Sequence, residues 1–276
     1  MIPQPRTRGG RNLATAVVTA LVLVAVLVAA YLLGADAVFW LAAVVVLLAL
    51  YELLDAVART GRRPPIAFAL ACAFVLMAAA YFRPDDPELV VVALGVATFG
   101  SLALALRPAR GRSAASDVAW TVAAVAWIGG AGAAAVSMLT LAGGLDLLVA
   151  HVLVTAIGDI GAYFVGVRFG RRKLAPSISP GKSWEGFAAG LVCALAAGTV
   201  AGLLLDQLTA WDGVAVGALV GVLAPVGDLA ESLAKRELGI KDSGRLLPGH
   251  GGFLDRIDAI VFCAPIVLLY LRAVVA

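Results

Sequence analysis

Residues 35–54 read Ala-Asp-Ala-Val-Phe-Trp-Leu-Ala-Ala-Val-Val-Val-Leu-Leu-Ala-Leu-Tyr-Glu-Leu-Leu, and only Asp36 and Glu52 among them carry a charge. About 20 apolar residues in a helix cross the hydrocarbon core of a bilayer, which is roughly 30 Å thick. A backbone inside lipid must satisfy its hydrogen bonds within the segment, and a helix does so. The stretch therefore predicts a transmembrane helix.

Comparable apolar runs occur along the whole chain of 276 residues. The composition is 62% hydrophobic and 14% charged, whereas soluble domains average about 45–50% apolar and 25% charged residues. We therefore expect an all-α, polytopic integral membrane protein with nine transmembrane helices. The predicted spans lie near residues 12–33, 35–54, 65–82, 89–106, 118–141, 147–167, 187–205, 213–233 and 257–271.

The distribution of basic residues predicts the orientation of these spans. With the N-terminus inside, the inner segments hold 19 of the 21 Lys and Arg residues, and only Arg83 and Arg272 lie outside. Because inner loops are enriched in Lys and Arg, the N-terminus is predicted to be cytoplasmic and the membrane to be the cell (inner) membrane. We treat residues 1–276 as a single membrane domain. Residues 1–145 would supply lipid-facing or dimerising spans, and residues 146–276 the catalytic part.

Other function classes find little support in the composition. The three cysteines, Cys72, Cys193 and Cys263, lie inside apolar runs without a CxxC pair, which argues against disulfides or a zinc site. The net charge of +3 is small, so nucleic acid is not an expected partner.

A polar stripe marks the inner end of the eighth span. Asp228, Glu231, Ser232 and Lys235 are spaced i, i+3, i+4 and i+7, which places all four on one face of a helix. A charged residue at full membrane depth costs about 2.5–3.5 kcal/mol, so these carboxylates need either partners or a function. Taken alone, the stripe is equally well explained by a salt-bridged helix end.

The segment 247–258 adds a bent loop and two more carboxylates. Pro248, Gly249, Gly251 and Gly252 disfavour a helix and leave backbone N–H groups that an anion can approach. Asp255 and Asp258 then begin the ninth helix, a position that favours acidic residues for electrostatic reasons alone. Two carboxylates facing a third on the neighbouring helix, with Lys and Arg between them, are typical of a Mg²⁺ site that also holds phosphates.

A second inner segment, residues 168–186, is a candidate clamp. Residues 177–183 contain too much Pro and Ser for a helix, and Arg171, Arg172 and Lys173 would lie at the level of phosphate headgroups. The positive-inside distribution alone also explains these three residues. Asp159 lies deep in the sixth span with Tyr163 one turn further on, so we expect it to be functional.

These motifs together resemble a known family. The pattern Ser232-x2-Lys235-Arg236-x4-Lys241-Asp242, followed by Leu247-Pro-Gly-His-Gly-Gly-x2-Asp255-Arg256-x-Asp258, is similar to the signature of the phosphatidate cytidylyltransferases, or CDP-diacylglycerol synthases. Residues 158–186 also resemble that family. Two positions depart from its pattern, with Gly181 in place of Lys and Ala259 in place of Ser.

The resemblance implies a reaction and a set of site residues. A phosphate oxygen of phosphatidic acid would attack the α-phosphorus of CTP, releasing pyrophosphate and leaving CDP-diacylglycerol in the bilayer. Mg²⁺ would be held by Asp228 and Asp255, with a second, monovalent cation left open, and a homodimer is implied. The implied catalytic residues are Lys235, Arg236, Lys241, Asp242, His250, Arg256 and Asp258. The implied substrate-binding residues are Asp159, Tyr163, Ser179, Lys182, Ser183, Glu185, Ser232, Gly249, Gly251 and Gly252.

Two alternatives stay open at this stage. A related CTP-dependent membrane lipid enzyme, such as a polyprenol kinase or a CDP-archaeol synthase, would share these motifs, and we expect the pocket that selects the lipid tail in the first five spans. A secondary transporter could also bury Asp159 and Asp228. It would not require a Gly-rich loop with two acidic and two basic residues.

The orientation is testable with a reporter fused after Arg112. We expect the reporter to be active in the cytoplasm, because this segment follows the fourth span and carries three arginines. Accessibility from the outside alone would contradict the predicted topology.

Overall fold

The computed structural model describes residues 11–106, 113–240, 243–244 and 252–275. Nine helical rods lie within these ranges, one for each predicted span, and the all-α polytopic class is confirmed. Seven of the described helices are long and apolar enough to cross a membrane, while α3 and the apolar stretch of α1, Leu21–Leu33, are shorter. The helices are α1 Arg11–Leu33, α2 Ala35–Arg59, α3 Ile66–Phe82, α4 Glu88–Ala105, α5 Ala114–Thr140, α6 Gly144–Phe169, α7 Trp184–Leu204, α8 Ala210–Glu237 and α9 Leu254–Val275.

The surface of the bundle is apolar, which is expected for a protein whose solvent is lipid. Val91, Phe99 and Leu203 are each about 70% exposed, which would be unfavourable for so many large side chains in water. Helices α2, α3 and α5 pack against one another and bury large side chains such as Leu50 and Leu76 completely. The arrangement fits a protein whose outer face contacts acyl chains.

Hydrogen bonds at the ends of the helices agree with the predicted alternation of the spans. At the end predicted to be outside, three tyrosines at the ends of α1, α3 and α9 donate to aspartates at the starts of even-numbered helices. The pairs are Tyr31–Asp146, Tyr81–Asp36 and Tyr270–Asp212, each 2.7 Å between the hydroxyl oxygen and Oδ1. At the opposite end, the amide of Arg63 donates to Asp117 Oδ1 at 2.7 Å.

A short hairpin between α6 and α7 departs from the purely helical expectation. Strands β1 (Lys173–Ala175) and β2 (Ser179–Ser183) pair antiparallel, with Lys173 opposite Ser183. The sequence correctly excluded a helix here, but it did not indicate the strand pairing. Ser183 then caps α7, because its hydroxyl accepts a hydrogen bond from Gly186 N at 3.2 Å.

Glycines allow α7 and α8 to approach closely. A Cβ atom added at Gly217 of α8 would lie 2.5 Å from the carbonyl oxygen of Ala194 and 2.8 Å from Leu195 Cα on α7. Small residues at such contacts favour helix association in membranes because they let the backbones pack directly. This contact sets the separation of two helices that line the site described below.

Helix α9 joins the two halves of the chain. It packs along α8 in the second half and also against α2 and α5 in the first half. Within the second half, His151 of α6 also contacts α9, because its Nε2 lies 3.0 Å from the carbonyl oxygen of Ile260. The start of α9 is therefore positioned by helices from both halves.

The close approach of α7 and α8 predicts that Gly217→Val is destabilising. A valine at this position must push the two backbones apart, and overpacking of this kind costs about 1–3 kcal/mol. We expect a lower midpoint of thermal unfolding in detergent. Gly95→Val is the matched control, because Gly95 lies in α4 with no atom within 4 Å of an added Cβ. Equal midpoints for the two variants would contradict the packing argument.

Candidate active site

A cavity of about 650 Å³ lies between α6, α7, α8, α9 and the hairpin. One part of its wall is charged, and another is formed by apolar side chains that include Ile160, Phe164 and Phe187. No residue of the first five helices is among its described lining residues. The charged residues that line it are Asp159, Lys182, Asp228, Glu231, Lys235, Asp255, Arg256 and Asp258.

Three carboxylates converge at the centre of this cavity. One oxygen from each of Asp228, Glu231 and Asp258 lies within 4.8 Å of the others. Asp228 and Glu231 share a face of α8 because they are three residues apart, and Asp258 faces them from the second turn of α9. Glu231 is 2% exposed and Asp258 is 7% exposed. Carboxylates this close repel one another, and a cation bound among them would stabilise the cluster.

Lys235 supplies a positive charge at this cluster and connects the two helices. Its Nζ lies 2.6 Å from Glu231 Oε2 and 2.7 Å from Asp255 Oδ1. The hydroxyl of Ser243 donates to Glu231 Oε1 at 2.8 Å and lies 3.3 Å from Asp255 Oδ1. One lysine and one serine therefore hold a carboxylate of α8 next to a carboxylate of α9.

Lys182 brings the hairpin to the same cluster. Its Nζ lies 2.5 Å from Asp228 Oδ2 and 3.3 Å from the carbonyl oxygen of Pro225. The short strand β2 thus delivers a second cation to α8. Glu185 secures the base of the hairpin, because its carboxylate accepts hydrogen bonds from the amides of Arg171 and Arg172 at 3.1 and 3.2 Å.

The charges of the cavity do not balance. Among the lining residues that the structure describes, five carboxylates stand against three cationic side chains. A polyanionic ligand would be repelled by this excess unless a further cation accompanied it. The carboxylate oxygens are hard donors of the kind that Mg²⁺ prefers, so the donor set fits such an ion.

The structure brings together most of the residues singled out in the sequence. Those that line the cavity are Asp159, Tyr163, Ser179, Lys182, Ser183, Asp228, Lys235, Asp255, Arg256 and Asp258. Gly252 lies beside it, and its amide donates to Asp255 Oδ2 at 2.8 Å. Lys241, Asp242, Gly249, His250 and Gly251 lie outside the described residues.

Three predicted residues lie away from the described lining of the cavity. Arg236 is exposed and its Nε donates to the carbonyl oxygen of Ile178 at 3.3 Å. Glu185 binds the hairpin backbone, and Ser232 is half-buried. Ser232 lies next to Glu231 on α8, but the side chains that reach the cavity from this turn are those of Asp228, Glu231 and Lys235.

The assignment of Asp228 and Asp255 as the metal ligands stays a prediction. In the structure Asp255 accepts hydrogen bonds from Lys235 and Gly252, and the carboxylates that meet Asp228 within 4.8 Å are those of Glu231 and Asp258. The helical stripe already placed Glu231 on the correct face, so a signal for it was present. Ser243 had no comparable signal, because its contacts with Glu231 and Asp255 depend on the tertiary structure.

The expected tail-selecting pocket in the first five spans is not matched by this cavity. Its apolar wall comes from α6, α7 and the hairpin, through Ile160, Phe164, Val167, Leu174 and Phe187. The side chains of Phe164 and Val167 are more than 60% exposed on the lipid-facing side of α6. An acyl chain could therefore reach the charged residues from the bilayer along these two helices.

The fold and the site together define a polytopic membrane protein with an acidic and basic cavity between its last four helices. Comparison with known proteins identifies the family. The chain belongs to the cytidylyltransferase family, whose model matches residues 14–274.

Individual relatives cover part of the chain. The chain is 42% identical to a phosphatidate cytidylyltransferase of Mycobacterium bovis over 146 residues, which are 53% of this chain and 48% of that protein. It is 42% identical to the phosphatidate cytidylyltransferase of Brucella suis over 144 residues, which are 51% of this chain and 53% of that protein. An uncharacterized protein of Escherichia coli, YnbB, is 42% identical over 130 residues, 47% of this chain and 44% of YnbB. The matches thus span about half the length of these relatives.

The carboxylate cluster predicts a specific response to Asp258→Asn. Without divalent cations, this variant should unfold at a higher temperature than the wild type, because a like-charge repulsion is relieved. A saturating concentration of Mg²⁺, roughly 100 times Kd, should stabilise the wild type by about 2.7 kcal/mol and the variant far less. Thermal unfolding in detergent with and without Mg²⁺ measures both effects.

Asp206→Asn is the matched control, because Asp206 is an exposed carboxylate that precedes α8, whereas Asp228 and Glu231 lie near the opposite end of that helix. It should respond to Mg²⁺ as the wild type does. An Asp258→Asn variant with an undiminished Mg²⁺ response would exclude Asp258 from the ion site.

Proposed function

We propose that this protein transfers the cytidylyl group of CTP to phosphatidic acid, producing CDP-diacylglycerol and pyrophosphate. Membership of the cytidylyltransferase family supports the use of a cytidine nucleotide. The names of the relatives from Mycobacterium bovis and Brucella suis support phosphatidic acid as the acceptor. The site supports both substrates on physical grounds.

One observation carries the proposal, namely the position of the cluster of three carboxylates and two lysines against an apolar wall. Asp228, Glu231 and Asp258 meet within 4.8 Å, and Lys182 and Lys235 lie in contact with them. The same cavity continues onto apolar side chains of α6 and α7. A substrate with a phosphate headgroup and an acyl tail matches both surfaces, whereas a soluble acceptor would use only the charged one.

The donor set supports Mg²⁺ as the cofactor. Asp228, Glu231 and Asp258 would hold the ion, and its charge would offset that of the nucleotide phosphates when bound. Asp255 would then act through Lys235, which it holds between α8 and α9. A second, monovalent cation is compatible with the five carboxylates of the cavity.

The chemistry asks for positioning and charge neutralisation more than for covalent catalysis. An oxygen of the phosphatidic acid phosphate forms a bond to the α-phosphorus of CTP, while the bond from that phosphorus to the bridging oxygen breaks and pyrophosphate leaves. Lys182, Lys235 and Arg256 line the cavity where they can neutralise the phosphates. The acceptor oxygen is the nucleophile, so no side chain needs to form a covalent intermediate.

The location of the reaction follows from the predicted topology. The site residues lie at the end of the bundle that contains the inner basic segments, so we propose that the site faces the cytoplasm in the inner membrane. A homodimer formed through the spans is part of the same proposal, and it rests on the family resemblance alone.

The proposal is tested with purified protein in detergent, phosphatidic acid and each of the four nucleoside triphosphates, with pyrophosphate release as the readout. We expect release with CTP and Mg²⁺, and a lipid product with the mass of CDP-diacylglycerol. Asp258→Asn should lower the rate by more than 100-fold. A phosphorylated alcohol formed from a polyprenol, or CDP-lipid formed only from an ether lipid, would instead identify one of the related CTP-dependent enzymes.

A further inference from the structure

Glu52, an acidic residue of the first half of the chain, contacts residues next to the proposed site. Glu52 is on α2, about two turns before the inner end of that helix at Arg59, and it is 3% exposed. It does not belong to the described lining of the cavity. Burying a carboxylate at this depth is costly, so its contacts indicate what it contributes.

The first contact is with the start of α9. Glu52 Oε2 accepts a hydrogen bond from the backbone amide of Leu254 at 3.2 Å, across 202 residues of sequence. Leu254 is the first residue of α9, and the first amides of a helix lack partners within the helix. A carboxylate is also favoured at the positive end of the helix dipole. Glu52 therefore caps α9 from a different part of the chain.

The second contact is with two glycines, Gly244 and Gly252, which flank residues 245–251. A Cβ atom added at Gly252 would lie 2.5 Å from Glu52 Oε2 and 2.8 Å from the amide nitrogen of Gly244. A Cβ atom added at Gly244 would overlap the Glu52 carboxylate. The carboxylate thus occupies a space that exists only because both positions are glycine.

Each of these glycines is connected to a charged residue of the cavity, either by its own hydrogen bond or by that of its neighbour in the chain. The amide of Gly252 donates to Asp255 Oδ2 at 2.8 Å. Ser243, the neighbour of Gly244, donates to Glu231 Oε1 at 2.8 Å. The position of Glu52 therefore influences the positions of Glu231 on α8 and Asp255 on α9 through these contacts. Because Leu254 begins α9, the same contact also fixes the direction in which Asp258 points one turn later.

We infer that Glu52 is a positioning residue that holds the start of α9 and the two glycines Gly244 and Gly252 in the geometry that the cluster needs. Its side chain must be long enough for a carboxylate oxygen to extend from α2 to the amide of Leu254. Its kinetic effect rests on the proposed function, whereas its effect on α9 does not. The first half of the chain thereby contributes directly to the site.

Two conservative variants separate the effect of the length of the Glu52 side chain from the effect of its charge. Glu52→Gln keeps the length of the side chain and an acceptor oxygen but removes the charge. Glu52→Asp keeps the charge and withdraws the carboxylate by one methylene group. If positioning is the role, the Gln variant should keep kcat within about threefold, and the Asp variant should lose about 10–100-fold, as supporting residues of metal sites typically do. The KM for phosphatidic acid should stay the same in both.

Hydrogen exchange gives a readout that is independent of activity. In the full-length protein in detergent, the amide of Leu254 should exchange at least tenfold faster in Glu52→Asp than in the wild type, and at the wild-type rate in Glu52→Gln. Asp55→Asn is the matched control, because Asp55 lies one turn further on α2 and pairs with Arg59. It should change neither kcat nor the exchange of Leu254.

Unchanged exchange in Glu52→Asp would overturn the inference, as would a Gln variant less active than the Asp variant. A wild-type protein that shows no cytidylyl transfer, but in which the exchange pattern is as expected, would refute the proposed function and leave the positioning role of Glu52 supported. The Asp variant keeps the charge and nearly the full volume of the side chain, so the comparison does not depend on an alanine variant that fails to fold.

Discussion

The pairing of Lys235 with one carboxylate from each of two helices is the contact on which the site depends. Its ammonium group lies 2.6 Å from Glu231 and 2.7 Å from Asp255, and it holds α8 and α9 together where like charges would otherwise separate them. Lys182 does the same for the hairpin through Asp228. Where these side chains are buried and water screens them little, the positions of the cations decide which acidic side chains can approach one another.

The rest of the fold supports this arrangement. Close packing at Gly217 brings α7 against α8, so the hairpin that precedes α7 can deliver Lys182 to the cluster. Helix α9 packs against both halves of the chain, and its first amide is bound by Glu52 of α2. The first half is therefore more than a lipid-facing scaffold, because it sets the position of the helix that carries Asp255, Arg256 and Asp258.

The location of the cavity matches the chemistry proposed for it. A charged nucleotide and an acyl-chain lipid have no solvent in common, so an enzyme that joins them must offer a polar surface next to an apolar one at the membrane boundary. The carboxylates and lysines provide the first, and Ile160, Phe164 and Phe187 provide the second. The described lining holds more carboxylates than cations, and the divalent ion proposed above would offset this excess when a polyanion binds.

The sequence by itself determined the all-α class, the positions of the nine helices and the segments that meet at the site. These properties depend on the length and hydropathy of each local segment of the sequence. The stripe of Asp228, Glu231 and Lys235 follows from helical periodicity alone. Only the tertiary structure decided the pairing of the hairpin strands, the approach of Glu231 and Asp258 to Asp228, and the contacts of Glu52 and Ser243. Each of them joins residues that are distant in sequence or separated by a loop, and the relative rotation and height of packed helices decide which charged groups meet.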